Sequence, residues 1–119
     1  MMTTIEQGGV GEDLACNYLE DQGLALIKRN FRCRVGELDL IMRDGDTLVF
    51  VEVRSRHDSR YGTPAETITR TKQRRVIRAA SYYLQKSRSD ASCRFDVVAI
   101  SYPQGQRRLD WIKDAFRID

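Results

Sequence analysis

The run from Gly36 to Arg56, Gly-Glu-Leu-Asp-Leu-Ile-Met-Arg-Asp-Gly-Asp-Thr-Leu-Val-Phe-Val-Glu-Val-Arg-Ser-Arg, decides the fold. Asp44-Gly45 and Gly45-Asp46 are both two-residue hairpin signals, each flanked by apolar segments of strand composition. A turn at Asp44-Gly45 sets Glu37 across from Glu52. A turn at Gly45-Asp46 sets Asp39 across from Glu52 and Glu37 across from Arg54. Parity is the same in both registers. Glu37, Asp39, Phe50, Glu52 and Arg54 share one face, while Leu38, Leu40, Val49, Val51 and Val53 share the other, which reads as core.

Glu37, Asp39 and Glu52 are therefore expected among aliphatic neighbours, where a carboxylate is costly unless it meets a cation or a metal. Directly opposed residues have Cβ atoms about 5 Å apart, and like charges so placed destabilise a sheet unless a counter-ion bridges them. Two oxygen-rich side chains at that separation suit a hard divalent cation such as Mg²⁺ or Mn²⁺. The plainer alternative is a half-exposed hairpin whose polar face carries a Glu37 to Arg54 salt bridge.

Outward from the hairpin, the pattern is helix, three strands, helix, strand. Leu14, Ala15, Tyr18 and Leu19 form an apolar stripe over residues 12–21, with Gly23 as a C-terminal cap; Thr4 and Gln7 offer an earlier start through a glycine-rich turn that is poor helix material. Strands are expected over residues 24–31, 37–43 and 47–54, followed by a polar loop. A helix starting near Thr69 carries Val76, Ile77, Ala80, Tyr83 and Leu84 on one face and turns Arg74, Arg75 and Arg78 to another. Residues 94–101 resume strand character, and residues 108–116 form a last strand or short helix. The strand after the crossover helix should lie parallel to one of the hairpin strands. The fold class is thus α/β, a mixed sheet flanked by helices.

A chain of 119 residues with 41% hydrophobic content is expected to form one domain, residues 1–119. Its first residues lack a charged and then apolar leader pattern, and no apolar run approaches the ~20 residues of a membrane span, so a cytoplasmic location off the membrane is expected. Cys16, Cys33 and Cys93 are odd in number and far apart, as expected of reduced thiols. The net charge of +3 hides an asymmetry: residues 51–88 hold ten basic and three acidic side chains, against five and nine in residues 1–50. Such clustering is the footprint of a phosphate-backbone binder. Arg54, Arg56, Lys72, Arg74, Arg75 and Arg78 are its candidate contacts, with nucleic acid, DNA first, as the partner and a homodimer compatible with the chain. The single histidine, His57, lies in the loop beside the acidic strands as a candidate proton shuttle.

Asp39 followed by Glu52-Val53-Arg54 on the next strand resembles the PD-(D/E)XK nuclease core. Most of the chain also resembles the YraN-like family of small bacterial proteins, through Gly11-Glu12, Ala15, Tyr18-Leu19, Gly36-Glu37-Leu38-Asp39-Leu40-Ile41, Asp44-Gly45, Leu48 to Arg56, Lys72, Ala80, Tyr83-Leu84, Arg94-Phe95-Asp96-Val97-Val98 and Ala115-Phe116. The resemblance implies a restriction-endonuclease-like three-layer sandwich similar to archaeal Holliday-junction resolvases. It also implies a metal-dependent DNA endonuclease, acting on branched DNA in that branch. Asp39, Glu52 and Arg54 would be the catalytic set, with Mg²⁺ or Mn²⁺ held by Asp39 and Glu52 and helped by Glu12 of the first helix. One position departs from the pattern: Arg54 stands where lysine is usual. Arginine does not deprotonate in proteins, yet it grips a phosphate through two donors. A non-catalytic nucleic-acid-binding module that retains the nuclease fold is accordingly the alternative to an endonuclease.

Overall fold

The computed structural model describes residues 4–56 and 68–118. Helix α1 (Thr4–Asp21) leads into strands β1 (Ala25–Cys33), β2 (Gly36–Asp44) and β3 (Thr47–Arg56); helix α2 (Arg70–Lys86) then precedes β4 (Cys93–Ser101) and β5 (Arg108–Phe116). The five strands form one sheet in the order β1-β2-β3-β4-β5. All neighbours run antiparallel except β3 and β4, which are parallel, so the returning strand does lie beside a hairpin strand. Asp44 pairs with Thr47, which fixes the turn at Gly45-Asp46; residues 108–116, a last strand or short helix from the sequence, are a strand paired with β4.

Both faces of the sheet are covered, one helix to each. Ala15, Cys16 and Leu19 of α1 pack on Leu40, Met42, Val49, Val51, Val98 and Ile100. Val76, Ala79 and Ala80 of α2 pack on Ile41, Phe50, Phe95 and Val97. The alternation Val49/Phe50/Val51 therefore separates two cores rather than a core from solvent, as expected where crossover helices cover a sheet. Three layers result, helix, sheet, helix. Among the described residues no helix is long and apolar enough to cross a membrane.

Two expectations fail at the start of β2. Glu37 is exposed, with Arg32 3.8 Å away, because it sits at the open end of the strand rather than inside it. Leu38 packs with Phe31 in the α2 core, whereas parity predicts it beside Leu40 in the α1 core. The cause is a break in pairing: the β2/β3 ladder runs from Asp44/Thr47 only to Leu40/Val51, beyond which the strands part. Across from Leu38 on β1 stands Phe31, and Asn30 just before it adopts a positive φ of 51°, which reorients that strand as well.

Two glycines set how closely the helices approach this opening. A Cβ on Gly36 would stand 2.4 Å from the Arg75 carbonyl oxygen of α2, and one on Gly11 would stand 3.0 Å from Ser55 Oγ of β3. Gly11 thus has a packing role, and α1 runs through the glycine-rich start. Thr69 caps α2, its hydroxyl accepting the Lys72 N–H at 3.1 Å.

Candidate functional site

Where β2 and β3 part, side chains take over from the backbone ladder. Val53 N–H donates to Asp39 Oδ2 at 2.9 Å, so a carboxylate occupies the place of the next ladder acceptor. Continuing the register one step past Leu40/Val51 sets Asp39 opposite Glu52, the second of the two arrangements the turn signals allow. The Glu52 side chain is only 2% exposed, and Lys72 Nζ approaches its Oε2 to 3.5 Å from α2. Its other oxygen, Oε1, is buried with no hydrogen-bond partner among the described residues. Glu12 enters from α1, its side chain 15% exposed and 3.9 Å from Arg29.

These carboxyls hold their protons unusually tightly. Burial pushes Glu52 up to about 8, the neighbouring Asp39 charge adds to the rise, and Lys72 opposes it. Burial also raises Asp39, against the stabilising Val53 N–H and Lys72. Glu12 is raised by burial and then by Asp39, which marks it as an electrostatic neighbour of the pair. At neutral pH the cation-free site therefore keeps Glu52 largely protonated, as coupled carboxyls in a dry setting do.

The donor chemistry fits a small hard cation. Among the described residues no three His, Cys, Asp or Glu side chains stand close enough to cage a metal. Mg²⁺, however, is commonly held by one or two carboxylates, with water and substrate phosphate completing its shell. Asp39 with the orphaned Glu52 Oε1 is such a pair, and Glu12 stands at its edge.

The candidate cations divide into groups. Arg54, two residues beyond Glu52 on β3, is half-buried on the same face of the strand. Lys72 and Arg75 line a cleft of about 320 Å³ beside the opening, together with Arg32 and Arg34. Arg74 and Arg78 are exposed and line a different cleft. His57 and the side chain of Arg56 lie outside the described residues.

One buried carboxylate escaped the sequence reading. Asp96 is fully buried, and it accepts Arg94 Nε at 3.1 and 3.2 Å, Trp111 Nε1 at 3.0 Å and the Asp114 N–H at 2.9 Å. Arg94 also reaches Asp44 Oδ2 at 3.0 Å, tying the hairpin turn to β4. The test that singles out Asp39, an acid within an aliphatic strand, applies equally to Phe95-Asp96-Val97-Val98. With its acceptor positions filled, Asp96 is a fastening between strands.

Residues 11–100 match the uncharacterised protein family UPF0102. The chain belongs to that family. Relatives within UPF0102 include a protein of Herminiimonas arsenicoxydans, 53% identical over 108 residues that cover 91% of this chain and 84% of the relative. One from Nitrosococcus oceani is 47% identical over 96% of this chain and 94% of its own, and one from Nitrosospira multiformis is 48% identical over 99% and 98%. The UPF0102 match takes in Glu12, Asp39, Glu52, Arg54 and Lys72 and ends before β5. The YraN-like resemblance thus holds at the level of the family.

Proposed function

We propose that this UPF0102 chain is a metal-dependent, nuclease-like protein that hydrolyses phosphodiester bonds in DNA, using a restriction-endonuclease-like sandwich over residues 1–119. The observation that carries the reading is the parting of β2 and β3, which leaves a half-buried Asp39 beside a fully buried Glu52, with a lysine ammonium 3.5 Å from Glu52. Asp39 and Glu52 would hold Mg²⁺ or Mn²⁺, with Glu12 assisting. A bound divalent ion of this kind lowers the pKa of a water ligand and stabilises charge on a phosphoryl group.

The protein's own residues supply the rest. Lys72 brings to the carboxylates the compact positive charge that position 54 of β3, an arginine, does not. Arg54 grips a phosphate through two donors. Arg32, Arg34 and Arg75 line the approach, where their charge offsets the repulsion between the acids and a polyanion. The second reading, a DNA-binding module without catalysis, rests on Arg54 standing in place of lysine.

A cleavage assay on linear, flapped and four-way DNA, with Mn²⁺, Mg²⁺ or EDTA, tests the proposal. Metal-dependent cleavage that disappears in Asp39→Asn/Glu52→Gln is the expected result. DNA binding without cleavage of any substrate, by the wild type and by Arg54→Lys alike, would leave the binding module standing.

A further inference from the structure

A second basic cleft, of about 310 Å³, lies along α2 and is lined by Arg70, Gln73, Arg74, Ile77, Arg78 and, from beyond the end of β5, Arg117. None of these residues lines the cleft beside Asp39 and Glu52. Helical spacing explains the separation. At 100° per residue, Arg70, Arg74 and Arg78 centre about 130° around α2 from Lys72 and Arg75, with Arg78 and Arg75 the nearest members of the two sets.

This flank concentrates like charge along one side of the helix. Arg70, Arg74 and Arg78 repeat at four-residue intervals, a like-charge stripe that weakens a helix. The stripe begins at the positive end of the helix dipole, where cations are disfavoured. Arg117 completes the cleft, its guanidinium held by an ion pair with Asp114, whose Oδ2 accepts Nε at 2.9 Å. Among the described residues that line the cleft, none is acidic. The three helical arginines form a row of about 12 Å. Such a row is long enough to meet more than one phosphate of a single strand.

We propose that this cleft is a phosphate-binding anchor that holds a stretch of polynucleotide backbone separate from the stretch at Asp39 and Glu52. It rests on the proposed function only in taking a polynucleotide as partner and is independent of cleavage.

The test is a titration of the full chain with a 12-base-pair DNA in EDTA, followed by amide NMR and, in parallel, by affinity against salt. The expected shifts fall in two sets, one at Arg74, Arg78 and Arg117 and one at Arg32 and Arg34. Arg74→Gln/Arg78→Gln should abolish the first set, retain the second and flatten the slope of log K against log salt by about 2. Both side chains are exposed, so the variant should fold. An unchanged slope with both sets intact would overturn the anchor. So would inorganic pyrophosphate, at equal phosphate concentration, producing the first set while DNA produces none, since the cleft would then be a small-anion site. DNA shifts confined to the first set would uphold the anchor and count against the Asp39/Glu52 site as a substrate site.

Discussion

Lys72 Nζ lies 3.5 Å from Glu52 Oε2, a contact between the first turn of α2 and the middle of β3 in which the lysine is 29% exposed and the glutamate 2%. Three local features hold it. Thr69 Oγ1 accepts the Lys72 N–H, Gln73 Nε2 donates to the Ile68 carbonyl at 3.0 Å, and Gly36 lets the α2 backbone settle against β2. A helix thus delivers the lysine that the strand lacks, and it does so at the point where the strand pairing ends.

Lys72→Met should remove that charge while keeping most of the stem that packs along the helix. If Lys72 serves the site, cleavage falls by 10²-fold or more, the usual size of a general acid–base or charge-stabilising contribution, while DNA affinity falls only a few-fold. Arg54→Lys in the wild type should change cleavage little, but in the Lys72→Met background it should restore part of it. Cleavage kinetics of the four proteins decide. A sharp rise in wild-type cleavage on Arg54→Lys would show that Lys72 does not fill the role.

Mg²⁺ or Mn²⁺ should raise the melting temperature, because a cation that binds the folded state alone stabilises it by about 2.7 kcal/mol at a hundredfold excess over Kd. For a domain of this size that is on the order of 10 °C. Calorimetry of Asp39→Asn/Glu52→Gln should show no increment. An increment that persists would place the ion elsewhere.

Protonation sets the pH dependence of the metal-free protein. Glu52 moves from an ordinary value of 4.5 up to about 8 on folding, so its protonated form favours the folded state. That contribution is complete below about 4.5 and is lost as pH rises through 8. Asp39 and Glu12, both raised, act in the same direction. Denaturation midpoints should therefore decline from pH 5 to pH 8.5, and Glu52→Gln should flatten the decline. Metal affinity should climb over the same range, since binding displaces the Glu52 proton. Equal slopes for wild type and Glu52→Gln would contradict this account.

Gly36→Ala places a Cβ 2.4 Å from a backbone oxygen that has no rotamer to adopt. Overpacking of this kind costs about 1–3 kcal/mol. Because α2 must retreat from β2, Lys72 draws away from Glu52. The melting temperature should drop, and cleavage should suffer more than DNA binding.

Asp96→Asn should be costly without touching the chemistry. Removing one partner of a buried ion pair costs up to about 3–5 kcal/mol; here Arg94 is left with Asp44 alone, and an amide replaces a carboxylate that accepts from Arg94, Trp111 and the Asp114 N–H. The melting temperature should fall well below that of the wild type while the Mg²⁺-induced increment survives. Loss of the increment at unchanged stability would instead draw Asp96 into the metal site.

Much of this architecture is written in local pattern. The alternation around Phe50 and the Asp44-Gly45-Asp46 signals specify a hairpin whose parity survives any choice of turn, because successive side chains on a strand point to opposite faces whatever lies beyond. The stripe of Val76, Ala80 and Tyr83 likewise specifies a helix with one buried flank. Asp39 and Glu52 are legible as facing carboxylates in only one of two registers, and the Asp44 to Thr47 pairing chose it. Tertiary structure alone decided that β2 and β3 part after Leu40 and Val51, that Leu38 changes core, and that Glu37 is exposed. It likewise decided that Asp96 is fastened from three sides and that Lys72 meets Glu52. The physical reason is range. Periodicity is a property of a few adjacent residues, whereas the distance from a helix to a strand depends on contacts made far apart in the chain, here Gly36 against Arg75 and Gly11 against Ser55.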